Sequence, residues 1–282
     1  MYLAEGSTDE LKALRQVLKP SAVFTHLTAA REFGWWLPPL PHDLPVFVSQ
    51  LASEPRTRRR GVYVLRHQAA IATTRLGGEV FASPAEVLLA CARHLALLDL
   101  VVLLDAALHR NAVTATDLEA IAKSGRAGTP ALREALRYAD GRSESPWGSV
   151  LRMLHRACDI DVEPQRDFFA ANGMFVARAD LWLIGTDTIH EYDGSTHLSV
   201  AGQRHDLARL RRLGDEKIVR RGYTAKEVMG SAHLILADAD RSLGRRYEPE
   251  RLNLWYRWTT ESCFTKTGRE RLRSRLGLSV GH

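Results

Sequence analysis

The sequence contains no stretch approaching the roughly 20 consecutive apolar residues that span a bilayer. Its longest apolar run, LALLDLVVLLDAAL, is interrupted by Asp99 and Asp105. A membrane-spanning helix is therefore not expected. Cysteine is scarce: Cys91, Cys158 and Cys263 stand far apart. An odd, scattered set supports neither a disulfide framework nor a zinc knuckle, and it fits a reducing compartment. The opening residues, MYLAEGSTDELKAL, have neither a basic region nor a continuous apolar core, so no signal peptide is expected. Internal repeats and low-complexity tracts are also absent. Together these absences predict a cytoplasmic protein without membrane contact.

What is present is ordinary for a globular chain: 282 residues, 45% hydrophobic and 26% charged. That length makes one large domain or two ordinary ones. The net charge is +6, and it is unevenly spread. Arg241 to His282 holds ten Lys/Arg against four Asp/Glu, so this segment alone accounts for the excess. A basic segment is the usual footprint of a polyanion partner, because neutralised phosphates release their counterions. A solvated helix surface has the same composition.

Residues 8–19 read as an amphipathic helix with Thr8 as N-cap, and His26–Gly34 as a second helix closed by its glycine. Four prolines in WWLPPLPHDLP then break regular structure. VFVSQL and GVYVLRH are β-like, with the basic EPRTRRRG as the turn between them, and EVFAS belongs to a further β pair. From Ser83-Pro84 the spacing becomes helical, with two helices up to Arg110, another in TATDLEAIAKSGR and a fourth in TPALREALRYAD. GRSESPWGS marks a boundary. Beyond it the order is helix, strand, strand, strand, helix, strand, with Asn172-Gly173 and Gly185-Thr186-Asp187 as turns. The expected class is α/β (α+β): an α-rich region with a small β-sheet at 1–140, a mixed sheet flanked by helices at 141–244, and a basic tail at 245–282.

The chemistry concentrates around IHEYDGSTH, Ile189–His197. Glu191 and Asp193 are two apart on one strand and so share a face. A tight turn brings Asp180 of the preceding strand across from Glu191. Three carboxylates converging at one end of a sheet repel one another unless something neutralises them. A divalent cation such as Mg²⁺ or Mn²⁺ does so, and it can activate water against a phosphodiester. His197 follows the turn, and the next helix carries Arg204, Asp206 and Arg209. These three do not share one face. Ordinary structure uses the same residue types: Asp193-Gly194 makes a turn, and Asp180 caps a strand end.

SESPWGSVLRML, EPQ, ARADLWL, IHEYDGSTH, RHDLARLRRL and RGY together resemble the small PD-(D/E)XK nuclease-like domain related to very-short-patch repair endonucleases. The resemblance runs from Ser143 to about Gly244 and implies a restriction-endonuclease-like core. It implies a metal held by Asp180 and Glu191 with Asp193 assisting, and His197 as general base or transition-state stabiliser. Arg204 and Arg209 would bind the scissile phosphate, with Asp206 orienting a neighbour. Arg58, Arg59 and Arg60 and the basic tail would hold the DNA backbone. More loosely, HLTAAREFGWWLP, SPAEVLLACA and LDLVVLLDAALHR resemble AbiEi-type antitoxins. That implies a winged-helix remnant and, as partner, a cognate toxin, another protein or a second copy of the chain.

Two positions depart from the nuclease pattern. Trp147-Gly148 stands where the first acid is expected, and Asp193 stands where the full pattern has lysine. Two readings follow: a metal-dependent DNA endonuclease, or a catalytically inactive DNA-binding regulator or antitoxin-like protein. Trp147, Trp182 and the aromatics of NLWYRW are suited either to stacking on bases or to core packing.

Overall fold

The computed structural model describes residues 7–194 and 200–278, with the backbone alone described for 7–9 and 200–206. Two compact units make up the chain: residues 1–139 with 261–282, and residues 140–260. Each is built on a mixed sheet with helices, an α/β arrangement. Among the described residues no helix is long and apolar enough to cross a membrane.

The first unit opens with α1 (Ser7–Arg15), β1 (Val23–Phe24) and α2 (His26–Glu32). The strands β2 (Val46–Leu51), β3 (Val62–His67), β4 (Thr73–Leu76) and β5 (Glu79–Ala82) follow. The sheet order is β3-β2-β1-β5-β4. β4 and β5 form the expected hairpin, turned by Gly77 and Gly78, both in the left-handed region that glycine adopts without strain. EPRTRRRG is not a hairpin turn. β2 and β3 are parallel, Val46 opposite Val62, so residues 52–61 run back along the sheet as a return loop. Arg58, Arg59 and Arg60 are exposed on that loop. β1 separates α1 from α2, and His26, Leu27, Ala29 and Ala30 of α2 are buried, so this helix faces the interior.

The helices α3 (Pro84–Cys91), α4 (Leu97–His109), α5 (Ala115–Ala122) and α6 (Thr129–Leu136) complete this part. Thr114 caps α5 in a reciprocal box with Asp117. Every residue of α4 from Leu98 to Ala107 is buried. A helix buried on all sides belongs at the centre of a core, and Asp99 and Asp105, which interrupt the apolar run, are buried with it.

The second unit has the order expected of it: α7 (Pro146–Ala157), β6 (Val162–Phe169), β7 (Phe175–Leu183), β8 (Thr188–Tyr192), α8 (Val200–Asp215) and β9 (Val219–Tyr223). The sheet order is β6-β7-β8-β9, with β6, β7 and β8 antiparallel and β9 parallel to β8. A parallel partner needs a crossover, and α8 supplies it. Val176, Ala177, Ala179, Ile189 and Leu213 form a core cluster between sheet and helix. α9 (Ala225–Gly230) and α10 (Ala232–Ser242) follow.

Residues 245–282 were expected to form a separate basic tail. The structure divides them between the two units instead. After a 3-10 turn at Pro249–Leu252 comes α11 (Asn253–Glu261), and after it α12 (Lys266–Arg275). Trp255 is fully buried, and Arg251 pairs with the buried Asp240 at 2.6 Å while donating to the Cys158 carbonyl. In the first unit, the backbone N–H of Cys263 and the hydroxyl of Ser262 donate to the buried carboxylate of Asp99. Much of the basic charge is matched internally: Arg271 and Arg275 pair with Glu261, and Arg273 pairs with Asp43. Charge counted along a sequence does not say which cations already have acids.

Candidate functional site

The acidic residues meet at one end of the second sheet. Leu181 pairs with His190 and Trp182 with Ile189, so the same register carried one position further sets Asp180 beside Glu191. Asp180 is well covered. One oxygen accepts from the side-chain amide of Gln165 at 3.3 Å, and the other accepts from the backbone N–H of Tyr192 at 3.1 Å. Burial pushes its pKa up, the Tyr192 N–H opposes this, and the neighbouring Glu191 charge pushes it further up. The bond from Gln165 depends on local backbone: Gln165 sits at φ +53 in the middle of β6 and has no partner in the ladder to β7, while Pro164 and Arg166 do.

Glu191 lies between two guanidinium groups. Arg209 of α8 makes a fork to both its oxygens, one bond at 2.8 Å. Nε of Arg220 on β9 donates to the same carboxylate at 2.5 Å, and the far nitrogen of Arg220 donates to Asp193. Burial alone would raise the Glu191 pKa. The hydrogen bonds and charges of Arg209 and Arg220 outweigh it and hold the carboxyl below its ordinary value. Arg209 also donates to the Arg178 carbonyl at 2.8 Å, which ties α8 across to β7.

Gly222 makes room for Asp193. It pairs with Glu191 on β8, and a Cβ added there would stand 1.8 Å from Oδ2 of Asp193. Because the Asp193 side chain is 43% exposed, it has somewhere to go. Gly222→Ala is therefore expected to swing Asp193 off Arg220 at a cost of no more than about 1 kcal/mol, as for a solvent-facing ion pair. Urea unfolding measures this, and a loss of several kcal/mol would mean that Asp193 is locked in place.

The other face of the motif strand is structural. Nδ1–H of His155 donates to the Leu151 carbonyl at 2.8 Å, which leaves its Nε2 to accept from Nδ1–H of His190 at 2.9 Å. Nε2 of His190 and Oδ2 of Asp238 both lie within reach of the Tyr223 hydroxyl, at 3.3 and 3.1 Å. Burial drives both histidines down, His155 to about 4, so the rings are neutral and link α7, β8, β9 and α10.

α7 begins beside this cluster. Trp147 stacks on Tyr192 with ring centroids 5.2 Å apart and planes 6° apart, and the N–H of Gly148 donates to the capping hydroxyl of Ser145. No carboxylate stands at that helical position. Glu144, ahead of the helix, faces the exposed Arg178 at 3.6 Å. Trp182 packs against the core cluster, donates its indole N–H to the Thr186 carbonyl at 2.7 Å, and lies under Arg166 at 3.8 Å. Its surroundings are those of a packing residue.

Asp180, Glu191, Asp193 and Arg209 are thus brought together. His197 lies outside the described residues, and the side chains of Arg204 and Asp206 do as well. Arg58, Arg59 and Arg60 belong to the other unit. Arg220 and Gln165 were not singled out from the sequence. Arg220 shares a face with Gly222 two residues on, but only the parallel register of β9 brings it to Glu191.

As arranged, these acids do not fit a hard divalent cation. Mg²⁺ takes oxygen ligands in a near-ideal octahedron, and here both oxygens of Glu191 and of Asp180, with one of Asp193, already accept hydrogen bonds. Among the described residues no group of three or more His, Cys, Asp or Glu is placed to hold a metal ion. Neither a family model, nor a curated protein, nor a solved structure matches the chain.

Proposed function

We propose that residues 140–260 form a nuclease-like DNA-binding domain whose carboxylate cluster is closed by arginine, and that the domain holds DNA without cutting it. The observation that carries this reading is Glu191, buried between Arg209 and Arg220. In the nuclease pattern the acids face a metal. In this chain two guanidinium groups meet that electrostatic need, and Arg220 supplies from the adjacent strand the cation absent at position 193. Gly148, in place of an acid, fits the same reading. The unit's own charges balance, 18 Lys/Arg against 18 Asp/Glu between residues 140 and 260, so a polyanion would be met by local cations such as the exposed Arg211 and Arg221 rather than by a net charge. The looser antitoxin-like resemblance of the first unit fits a regulatory role, with a cognate toxin or a second copy as protein partner.

Asp180 favours a second reading, metal-dependent cleavage, because both its hydrogen bonds come from neutral groups. One experiment separates the two. Purified protein is mixed with duplex DNA at about 50 and about 200 mM salt, and with supercoiled plasmid in Mg²⁺ or Mn²⁺. A gel shift that weakens steeply with salt, without nicking, is expected. Nicking that disappears in Asp180→Ala would overturn the closed-site reading, and absence of any shift would overturn DNA binding.

A further inference from the structure

The first unit contains a cationic recess that plays no part in the acidic cluster. Its volume is 410 Å³, within the range that holds a small ligand. Arg66 and His67 at the end of β3 form one wall, with the two alanines that follow. Leu89, Ala90 and Arg93 at the end of α3 form another, and Arg126 and Ala127 ahead of α6 close it. A second recess of 510 Å³ shares Arg93 and Ala127 with the first and adds His94 and Arg275.

The charges around the first recess do not balance. Arg126 is matched by a fork to Glu86, at 2.7 and 2.6 Å. Arg66 donates to the carbonyls of Ala52 and Glu54 and has no carboxylate partner among the described residues. Arg93 is exposed, and its side chain has neither a hydrogen bond nor an ion pair among the described residues. His67 contributes no charge. Its Nδ1 faces the guanidinium of Arg126, which can only donate, so Nδ1 accepts and Nε2–H donates to the Ser49 hydroxyl at 3.1 Å. Three guanidinium groups against one carboxylate leave two positive charges facing a concave site, where low-dielectric walls concentrate the field. Apart from Gln68, the uncharged lining is apolar: Leu89 and Ala90, both buried, with Ala69, Ala70 and Ala127.

We propose that this recess binds a small phosphate monoester, the phosphate held by Arg93 and Arg66 and an organic group resting on its apolar lining. A phosphate monoester carries about two negative charges at neutral pH, which matches the excess. Guanidinium forks fit its oxygens in a bidentate manner. The recess is larger than the anion alone and leaves room for the organic group.

Calorimetric titration of the full chain with AMP, inorganic phosphate and adenosine tests the proposal. AMP is expected to bind more tightly than phosphate, and adenosine not to bind. Because the Arg93 side chain is exposed and makes no hydrogen bond or ion pair among the described residues, Arg93→Gln is expected to keep the wild-type unfolding curve while weakening AMP at least about tenfold, the loss of one charge-assisted fork. Arg93→Lys, which keeps the charge but not the fork, is expected to fall between. Absence of heat with both AMP and phosphate at millimolar concentration overturns the proposal, as does AMP binding unchanged in Arg93→Gln. Adenosine binding as tightly as AMP overturns the phosphate assignment. A duplex-DNA gel shift lost in Arg93→Gln, with no AMP binding, would make the recess part of a nucleic-acid surface and likewise overturn it.

Discussion

Arg220→Met is expected to destabilise the protein by about 2–3 kcal/mol near neutral pH. Removing one partner of a buried ion pair costs about 3–5 kcal/mol, because the other charge stays behind unpaired. Here Glu191 keeps Arg209, and the Arg220 side chain is 24% exposed, so the lower end applies. The effect has a pH signature. The folded-state pKa of Glu191 lies below its ordinary value of 4.5, so its contribution is present above 4.5 and is lost as pH falls through the folded value. Arg220→Met shrinks that depression. The gap between wild type and variant should therefore be full above 4.5 and close at lower pH. Urea unfolding at about pH 7 and about pH 3 measures both points. In a Glu191→Gln background, where no anion remains to be stranded, the same substitution should cost much less. A gap independent of pH, or unchanged in that background, would show that Arg220 acts by packing rather than by pairing.

Gly268→Ala is expected to cost more than about 3 kcal/mol, among the larger effects a single methyl group produces. An added Cβ would stand 1.8 Å from the carbonyl oxygen of Ser262 and 2.2 Å from its carbon, and these are backbone atoms. That peptide cannot easily yield. Its carbonyl accepts from the N–H and the hydroxyl of Thr265, both at 3.0 Å, and the Ser262 hydroxyl and Cys263 N–H are the donors to buried Asp99. Moving Ser262 strips an interior carboxylate of its hydrogen bonds, so the steric cost and the polar cost add. Gly214→Ala on α8 is the matched control. A Cβ there meets nothing within 4 Å, and alanine favours the helix by about 1 kcal/mol, so no loss is expected. Equal behaviour of the two variants in thermal or urea unfolding would refute the account of Gly268.

Residues 140–260 show how far each level reaches. Asn172-Gly173 marked a turn because Gly173 needs φ of +81, a demand that two adjacent residues can state. GRSESPWGS marked the boundary in the same local way, though α7 begins inside it at Pro146, and the helix, three strands, helix and strand followed from periodicity. Asp180 and Glu191 came together because an antiparallel hairpin with a short turn has few registers. The identity of what neutralises them was not legible. Converging carboxylates need a positive partner, and from residue types a metal and an arginine answer that need equally well.

The sequence by itself determined most of the elements and their order, though not β1, α10 or α11, together with the hairpin that gathers the acids and the break near residue 140, since these follow from φ preferences and from hydrophobic periods within a few neighbours. Tertiary structure alone decided that β2 and β3 run parallel, that the basic C-terminal segment is divided between two packed units, and that Arg220 closes on Glu191 and Asp193. The physical reason is the same in each case. Strand direction, burial of a charged helix and the pairing of two ions depend on residues far apart in the chain. Their energies arise only when the intervening chain has brought those residues into contact.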